Sequence, residues 1–304
     1  MREDRSLDTT DPIGLPPEDI APRPYASRVG IDVSGLSHRG KVRHNNEDHF
    51  LVARVGRSLH TLFSNLPEGE VPNRFDENGW VMMVADGMGG AAGGEVASSM
   101  AISTLVNIFL DVPDWIMQLD DDRATEIMRR AVSYYKKVDT ALSERAAADP
   151  ILQGMGSTMT LGYSLANDLF VVHVGDSRLY LMRNGNLQQL TKDQTHAQAL
   201  ADAGMIKREE VATHRLRHVL TNALGGNVDT VEVEIQRARL HDGDRLLLCT
   251  DGLTDMVDDD AIAEVMLQAR QPGTACKSLV ERALANGGRD NVTVIVADCG
   301  VAAE

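Results

Sequence analysis

The sequence predicts an α+β fold in which helices cover antiparallel sheets. Short β-prone runs follow one another through 157–190, separated by hairpin-type turns at Ala166-Asn167-Asp168 and Asn184-Gly185-Asn186. Helical stretches come in groups, two before that block and two near the end of the chain. Strands in consecutive runs with grouped helices are the grammar of layered α+β packing, and they disfavour a doubly wound parallel sheet.

Taken in order, residues 1–27 hold Pro12, Pro16, Pro17, Pro22 and Pro24, five of the ten prolines. With no apolar core and no cleavage pattern, this stretch reads as a flexible or loosely docked polar tail rather than a secretory signal. Residues 28–300 read as a single domain, with the globular pattern starting at Val29. HFLVARV (49–55) and WVMMVA (80–85) are strands, and the turn-rich segment 58–79, ending in Asn78-Gly79, reads as a loop insertion. After Gly94, Val96, Met100, Leu105 and Ile108 recur at helical spacing, and a second helix covers about 123–148 through Ile127, Met128, Ala131, Val132 and Tyr135. The strand block comes next, then a polar, mostly helical patch at about 193–225. VEVEIQRARL and DRLLLCT form a strand pair, followed by helices at about 259–269 and 274–286 and a closing strand, NVTVIVAD.

Of the 304 residues, 30 are Lys or Arg and 45 are Asp or Glu, a net charge of −15, and 43% are hydrophobic. That composition supports a sizeable core and excludes a chain disordered or fibrous throughout. The acidic balance argues against a nucleic-acid backbone or an anionic membrane surface as the main partner. No segment approaches the roughly 20 apolar residues of a bilayer span. Cys249, Cys276 and Cys299 are odd in number and widely spaced. They form no disulfide framework or zinc pattern, so a reducing cytoplasm is expected.

The chemistry lies at strand ends. Asp86-Gly87 ends VMMVADG and Asp251-Gly252 ends LLLCTDG, whereas Asp242-Gly243 reads as a plain turn. Asp290 opens a buried strand in GGRDNVTVIVA, Glu47 and Asp48 open another in NNEDHFLV, and Asp176 follows FVVHVG. One acid at a strand end is ordinarily a turn residue or cap. Five such sites at one end of a sheet system would repel one another unless cations intervened. Oxygen donors suit Mg²⁺ or Mn²⁺, and the glycine after Asp86 would let a backbone carbonyl approach such an ion. The competing pattern Gly87-Met88-Gly89-Gly90-Ala91-Ala92 spells the G-x-G-x-x-A of nucleotide sites. Asp86 beside a pyrophosphate and the missing second parallel strand weaken it, and a strand-to-helix turn explains the glycines better.

In order along the chain, SHRGKVRHNNEDHF, VADGMGG, GMGSTMT, VGDSRLYLMRNG, LTKDQTH, LLLCTDGLTD and GGRDNVTVIV resemble the successive motifs of the metal-dependent (type 2C, PPM) serine/threonine protein phosphatases, in their bacterial form. The resemblance spans about Gly30 to Ala297. It implies a four-layer α-β-β-α sandwich of two antiparallel sheets flanked by helices, with a dinuclear Mg²⁺ or Mn²⁺ centre at one end. By the same resemblance Asp86 bridges both metals and the Gly87 carbonyl binds one. Asp251 and Asp290 hold the first metal, and Glu47 serves the second directly or through water. Asp48 orients metal-bound water, Arg43 grips the substrate phosphate, and Asp176 holds a third, weaker cation. The patch at about 193–225 corresponds to a flap beside the site.

The activity implied is hydrolysis of phosphoserine and phosphothreonine in proteins by a hydroxide bridging two divalent cations, opposing a serine/threonine kinase. The rival from another class is an inactive phosphopeptide-binding or scaffold protein on the same fold. One departure stands out: Met88 occupies the position where eukaryotic members carry a histidine proposed as the proton donor. His38, His44 and His49 near Arg43 read as surface or packing residues, His173 as a satisfied core histidine, and Cys249 as a buried, inert thiol.

Overall fold

The computed structural model describes residues 29–67, 69–116, 119–226 and 230–301; the expected N-terminal tail lies outside them. The strands are β1 (Val29–His38), β2 (Asp48–His60), β3 (Arg74–Met88), β4 (Gly156–Ser157), β5 (Met159–Leu165), β6 (Asp168–Val174), β7 (Arg178–Arg183), β8 (Asn186–Gln189), β9 (Leu224–Gly225), β10 (Glu234–Arg239), β11 (Arg245–Cys249) and β12 (Val292–Val301). The helices are α1 (Gly90–Leu110), α2 (Asp121–Ala148), α3 (His196–Asp202), α4 (Asp251–Thr254), α5 (Asp259–Gln268) and α6 (Pro272–Ala285). One sheet runs β1-β12-β11-β7-β8; the other runs β10-β6-β5-β3-β4-β9, with β2 paired to β3. Every pair in these ladders is antiparallel.

The period-two alternation of strand side chains builds four layers. Along β3, Met82 and Val84 point between the sheets, where they meet Leu179, Leu246, Leu248 and Ile295. Their neighbours Met83 and Ala85 point the other way, onto Ala97, Ala101 and Leu105 of α1 and Tyr135, Val138 and Leu142 of α2. On the opposite sheet Leu247, Cys249, Val294 and Val296 face Ile262 and Val265 of α5 and Ala275, Leu279 and Ala283 of α6. Helices thus flank two face-to-face antiparallel sheets, the expected α-β-β-α sandwich. Helix α1 has an 18-residue stretch, Gly93–Leu110, apolar enough by composition to cross a membrane. This amends the reading that no segment approaches that length. Within the fold its apolar face is packed on β3.

Three expectations are corrected. Segment 58–79 is no plain loop, because β2 and β3 continue as a paired ribbon with Ser58 opposite Asp76 and His60 opposite Arg74. Asn78-Gly79 lies inside β3 opposite Gly56 and Val55 instead of forming a turn. VEVEIQRARL and DRLLLCT do not sit together, since β10 pairs with β6 while β11 pairs with β7 and β12. Between β6 and β7 the chain changes sheets at Gly175, whose φ of 112° is open to glycine at little cost.

Candidate metal centre

Every strand-end acid singled out in the sequence comes to one end of the sandwich. Asp48 and Asp86 are directly opposite partners in the β2–β3 ladder. Asp251 follows β11 and Asp290 precedes β12, neighbouring strands of the facing sheet. Asp176 sits at the corner where the chain passes between the two sheets.

Local hydrogen bonds fix these positions. The Asp86 amide donates to Thr158 Oγ1 at 3.0 Å, and the Asp86 carbonyl accepts from the Thr158 amide at 2.8 Å and from Ser157 Oγ at 3.0 Å. The Gly87 amide donates to the Glu47 carbonyl at 3.2 Å, which Ser98 Oγ of α1 also reaches at 2.5 Å. Asn291 ties three segments together: its Oδ1 accepts from the Glu47 amide at 2.8 Å, and its Nδ2 donates to the carbonyls of Arg39 and Asn45 at 2.9 and 2.8 Å. Thr250 Oγ1 donates to Asp48 Oδ2 at 2.8 Å and accepts from the Thr293 amide at 3.0 Å.

Glycines are required where the backbone segments meet. A Cβ on Gly87 would lie 1.9 Å from the Gly94 carbonyl oxygen, and one on Gly252 would lie 1.8 Å from that of Asn291.

The electrostatics are those of a site built for positive charge. Burial, followed by repulsion from Asp48, Asp251, Asp176 and Asp290, pushes the Asp86 carboxyl well above the usual carboxylate range. Asp251 rises for the same reasons, with Asp176 and Asp255 as its strongest repelling neighbours. Burial carries Asp48 and Asp176 each up to about 7. Glu47 is also raised by burial, with Arg43 pulling the other way. Asp48 Oδ1 and Asp251 Oδ1 are buried with no hydrogen-bond partner. Unpaired buried oxygens among mutually repelling carboxylates cost free energy unless something cationic joins them. An all-oxygen set of carboxylates, with a carbonyl beside a side-chain-free Gly87, fits Mg²⁺ or Mn²⁺.

Arg43 stands at the rim, half-exposed, with Nη2 donating to Asp290 Oδ2 at 2.6 Å. Arg178 does not pair with Asp176, the local alternative open to that residue; it grips Asp193 at 2.9 and 2.7 Å. His173 is satisfied on both ring nitrogens by Thr160 Oγ1 at 2.8 Å and the Lys192 carbonyl at 3.2 Å. His49 Nδ1 is engaged with Ser98 Oγ at 2.9 Å, and His38 Nδ1 accepts from the Gly40 amide at 2.9 Å. The turn Gly87–Ala92 leads into α1, and β3 pairs only with antiparallel strands, so the dinucleotide pattern lacks its parallel βαβ setting. A cavity of about 760 Å³ between the sheet of β2, β3, β5 and β6 and helices α1 and α2 is walled by apolar groups such as Leu51, Met83, Leu161 and Phe170, and lies on the helix side, away from these acids.

Thr250, Asn291 and Asp255 belong to the same face and were not singled out in the sequence. Asp255 alone had a local signal, its four-residue spacing from Asp251 in TDGLTD.

Residues 73–285 match the family model of protein phosphatase 2C. The chain is 38% identical over 263 residues to the serine/threonine protein phosphatase PstP of Mycobacterium tuberculosis, covering 86% of this chain and 44% of that protein. It is 31% identical to the serine/threonine phosphatase stp of Listeria welshimeri, covering 86% of this chain and 92% of that one. A crystal structure of the catalytic domain of PstP in complex with two manganese ions superposes with a TM-score of 0.69 at 34% identity, over 90% of this chain and 99% of that chain. The chain therefore spans less than half the length of the mycobacterial relative and nearly all of the Listeria one.

Proposed function

The chain belongs to the protein phosphatase 2C family, and from that premise we propose that it hydrolyses phosphoserine and phosphothreonine in proteins with two divalent cations, Mg²⁺ or Mn²⁺, as resident cofactors. The observation that carries this reading is the convergence of Glu47, Asp48, Asp86, Asp251 and Asp290 at one end of the sandwich, where Asp48 Oδ1 and Asp251 Oδ1 are buried with no hydrogen-bond partner among the described residues and Arg43 pairs with Asp290. In this assignment Asp86 serves both cations with the Gly87 carbonyl next to it. Asp251 and Asp290 hold the first, Glu47 the second, and Asp176 a third, weaker one. When bound, the two cations offset charge on the phosphoryl oxygens and lower the pKa of water toward neutrality.

The protein's own groups do the rest. Arg43 presents a planar fork of donors suited to phosphoryl oxygens, and its exposure lets a protein-borne phosphate reach it. Asp48, held through Oδ2 by Thr250, has Oδ1 buried with no hydrogen-bond partner among the described residues, so that it can orient a water. Met88 has no proton to give, so protonation of the leaving serine or threonine oxygen falls to another group. A scaffold lacking activity is not favoured, since no candidate carboxylate is missing. Opposition to a serine/threonine kinase and residence in a reducing cytoplasm extend the proposal. The latter is supported by Cys249, Cys276 and Cys299, which are all free and buried.

The test is Asp86→Asn. Changes to groups that merely support ligands cost 10–100-fold, so loss of the shared carboxylate should lower phosphopeptide hydrolysis by more than about 100-fold in a folded protein. Hydrolysis at the original rate would remove Asp86 from the centre.

A further inference from the structure

The acidic face continues past the residues assigned above. Asp255 lies one helical turn beyond Asp251, and its amide donates to the Asp251 carbonyl at 2.8 Å. This spacing places the two carboxylates on the same side of α4. Facing them is an imidazole from the 193–225 segment: His218 Nδ1 is 3.4 Å from Asp255 Oδ2. One ligand atom from each of His218, Asp251 and Asp255 lies within 4.8 Å of the others.

Two further observations mark this as a place for an ion and not only for an ion pair. Asp251 Oδ1 is buried and has no hydrogen-bond partner. Asp176, 8% exposed, has no ion pair with a basic side chain among the described residues, and its neighbour Arg178 is committed to Asp193. Asp176 exerts the strongest charge repulsion on Asp251, and Asp255 in turn acts on Asp176. Arg217 and Arg178 are the other basic groups that act on Asp255, and neither forms an ion pair with it among the described residues. Two carboxylates thus stand beside one imidazole, and the buried Asp251 Oδ1 is without a hydrogen-bond partner among the described residues.

We propose that His218 is a nitrogen ligand to a divalent cation held with Asp251 and Asp255, and that this cation pins the 193–225 segment to the catalytic face. The inference rests on the divalent-cation chemistry proposed above and adds to it a ligand from outside the sandwich. His218 is well placed to transmit such pinning. The adjacent Val219 carbonyl accepts from the His196 amide at the start of α3 at 2.8 Å, and Leu220 bridges to Thr195. Fixing His218 therefore fixes the root of α3 as well. The chemistry also sets a preference. The other assigned donors are oxygens, whereas an imidazole favours transition ions over Mg²⁺. Mn²⁺ should therefore fill this position more readily than Mg²⁺.

Pulsed electron paramagnetic resonance of the untagged protein at saturating Mn²⁺ tests the ligand directly. A directly bound imidazole imprints ¹⁴N modulation on the Mn²⁺ signal, and carboxylates cannot. The expected result is clear ¹⁴N modulation in the original protein and its loss in both His218→Ala and His218→Gln, with calorimetry showing two tighter Mn²⁺ still bound. Limited proteolysis of the 203–217 stretch supplies the second readout: Mn²⁺ should slow cleavage in the original protein at least about fivefold, and not in His218→Ala. Absence of ¹⁴N modulation with all Mn²⁺ sites filled overturns the proposal, as does its persistence in both variants. If His218 only pairs with Asp255, His218→Ala will be cleaved faster by the same factor with and without Mn²⁺, which also overturns it. Two bound Mn²⁺ with intact phosphopeptide hydrolysis in those cases would leave the catalytic reading standing. Failure to bind any Mn²⁺ would sink both.

Discussion

Asp48 shows how a single residue's surroundings set its chemistry. One carboxylate oxygen is held by Thr250 at 2.8 Å, and the other is buried with no partner. Thr250→Val removes that donor and leaves the Thr293 amide without its side-chain acceptor, so it should destabilise the protein by about 1–3 kcal/mol in urea titration. An unchanged midpoint would mean that the contact contributes nothing. At the rim, Arg43→Ala removes a charged fork from the phosphate's approach. A charge-assisted hydrogen bond is worth about 1.5–3 kcal/mol, so KM for a phosphothreonine peptide should rise at least about tenfold, more than kcat falls. An unchanged KM would place the phosphate elsewhere. The acids were legible in sequence because each stands where an apolar run starts or stops. Thr250 was not legible, because a threonine in LLLCT looks like any β-former, and only the register of β2 against the facing sheet shows what it touches. The Asp176 environment was equally hidden, since sequence adjacency left a pairing with Arg178 open as an alternative and the fold gives Arg178 to Asp193.

At the scale of elements, the site depends on backbones meeting without side chains between them. Gly252 opens α4 against the start of β12, and a Cβ there would collide with the Asn291 carbonyl at 1.8 Å. Gly252→Ala must displace Asp251 or the Asp290–Asn291 turn. It should lower Tm by several degrees and weaken Mn²⁺ binding at least about tenfold, because ligands need sub-ångström placement. Unaltered Mn²⁺ affinity by calorimetry would show that the turn has slack. Long apolar helices and buried strands were readable from periodicity alone. The β2–β3 ribbon was not, because its outer half is exposed and polar and so resembles a loop in composition. Nor was the change of sheet after β6: a hairpin and a corner both need a glycine, and the choice is made by which sheet the next strand buries its side chains against. β1 was passed over because GIDVSGLS mixes small and polar residues; the register with β12 defines it.

For the whole molecule, two sheets bring their acidic ends together, and that convergence has a thermodynamic consequence. The folded pKa values of Asp48 and Asp176 are about 7, and those of Asp86 and Asp251 are also raised, against an unfolded value of about 3.9. These groups bind protons more tightly when folded, so without cations their contribution is most favourable below about pH 4 and declines as pH rises toward 7. Chelated protein should therefore melt several degrees lower at pH 8 than at pH 5.5, and Mn²⁺ should raise Tm more at the higher pH. A Tm independent of pH in chelator would mean that the carboxylates do not interact. The layered α+β class was legible from the order of strands and helices, and the four-layer sandwich from the family resemblance, but the meeting of five distant segments at one end is a property of topology that no local pattern contains. The most direct test of the central claim is phosphate release from a phosphothreonine peptide by exhaustively chelated protein, before and after adding Mn²⁺. Release that is absent in chelator and restored by Mn²⁺ is the predicted result; full release in chelator would contradict it.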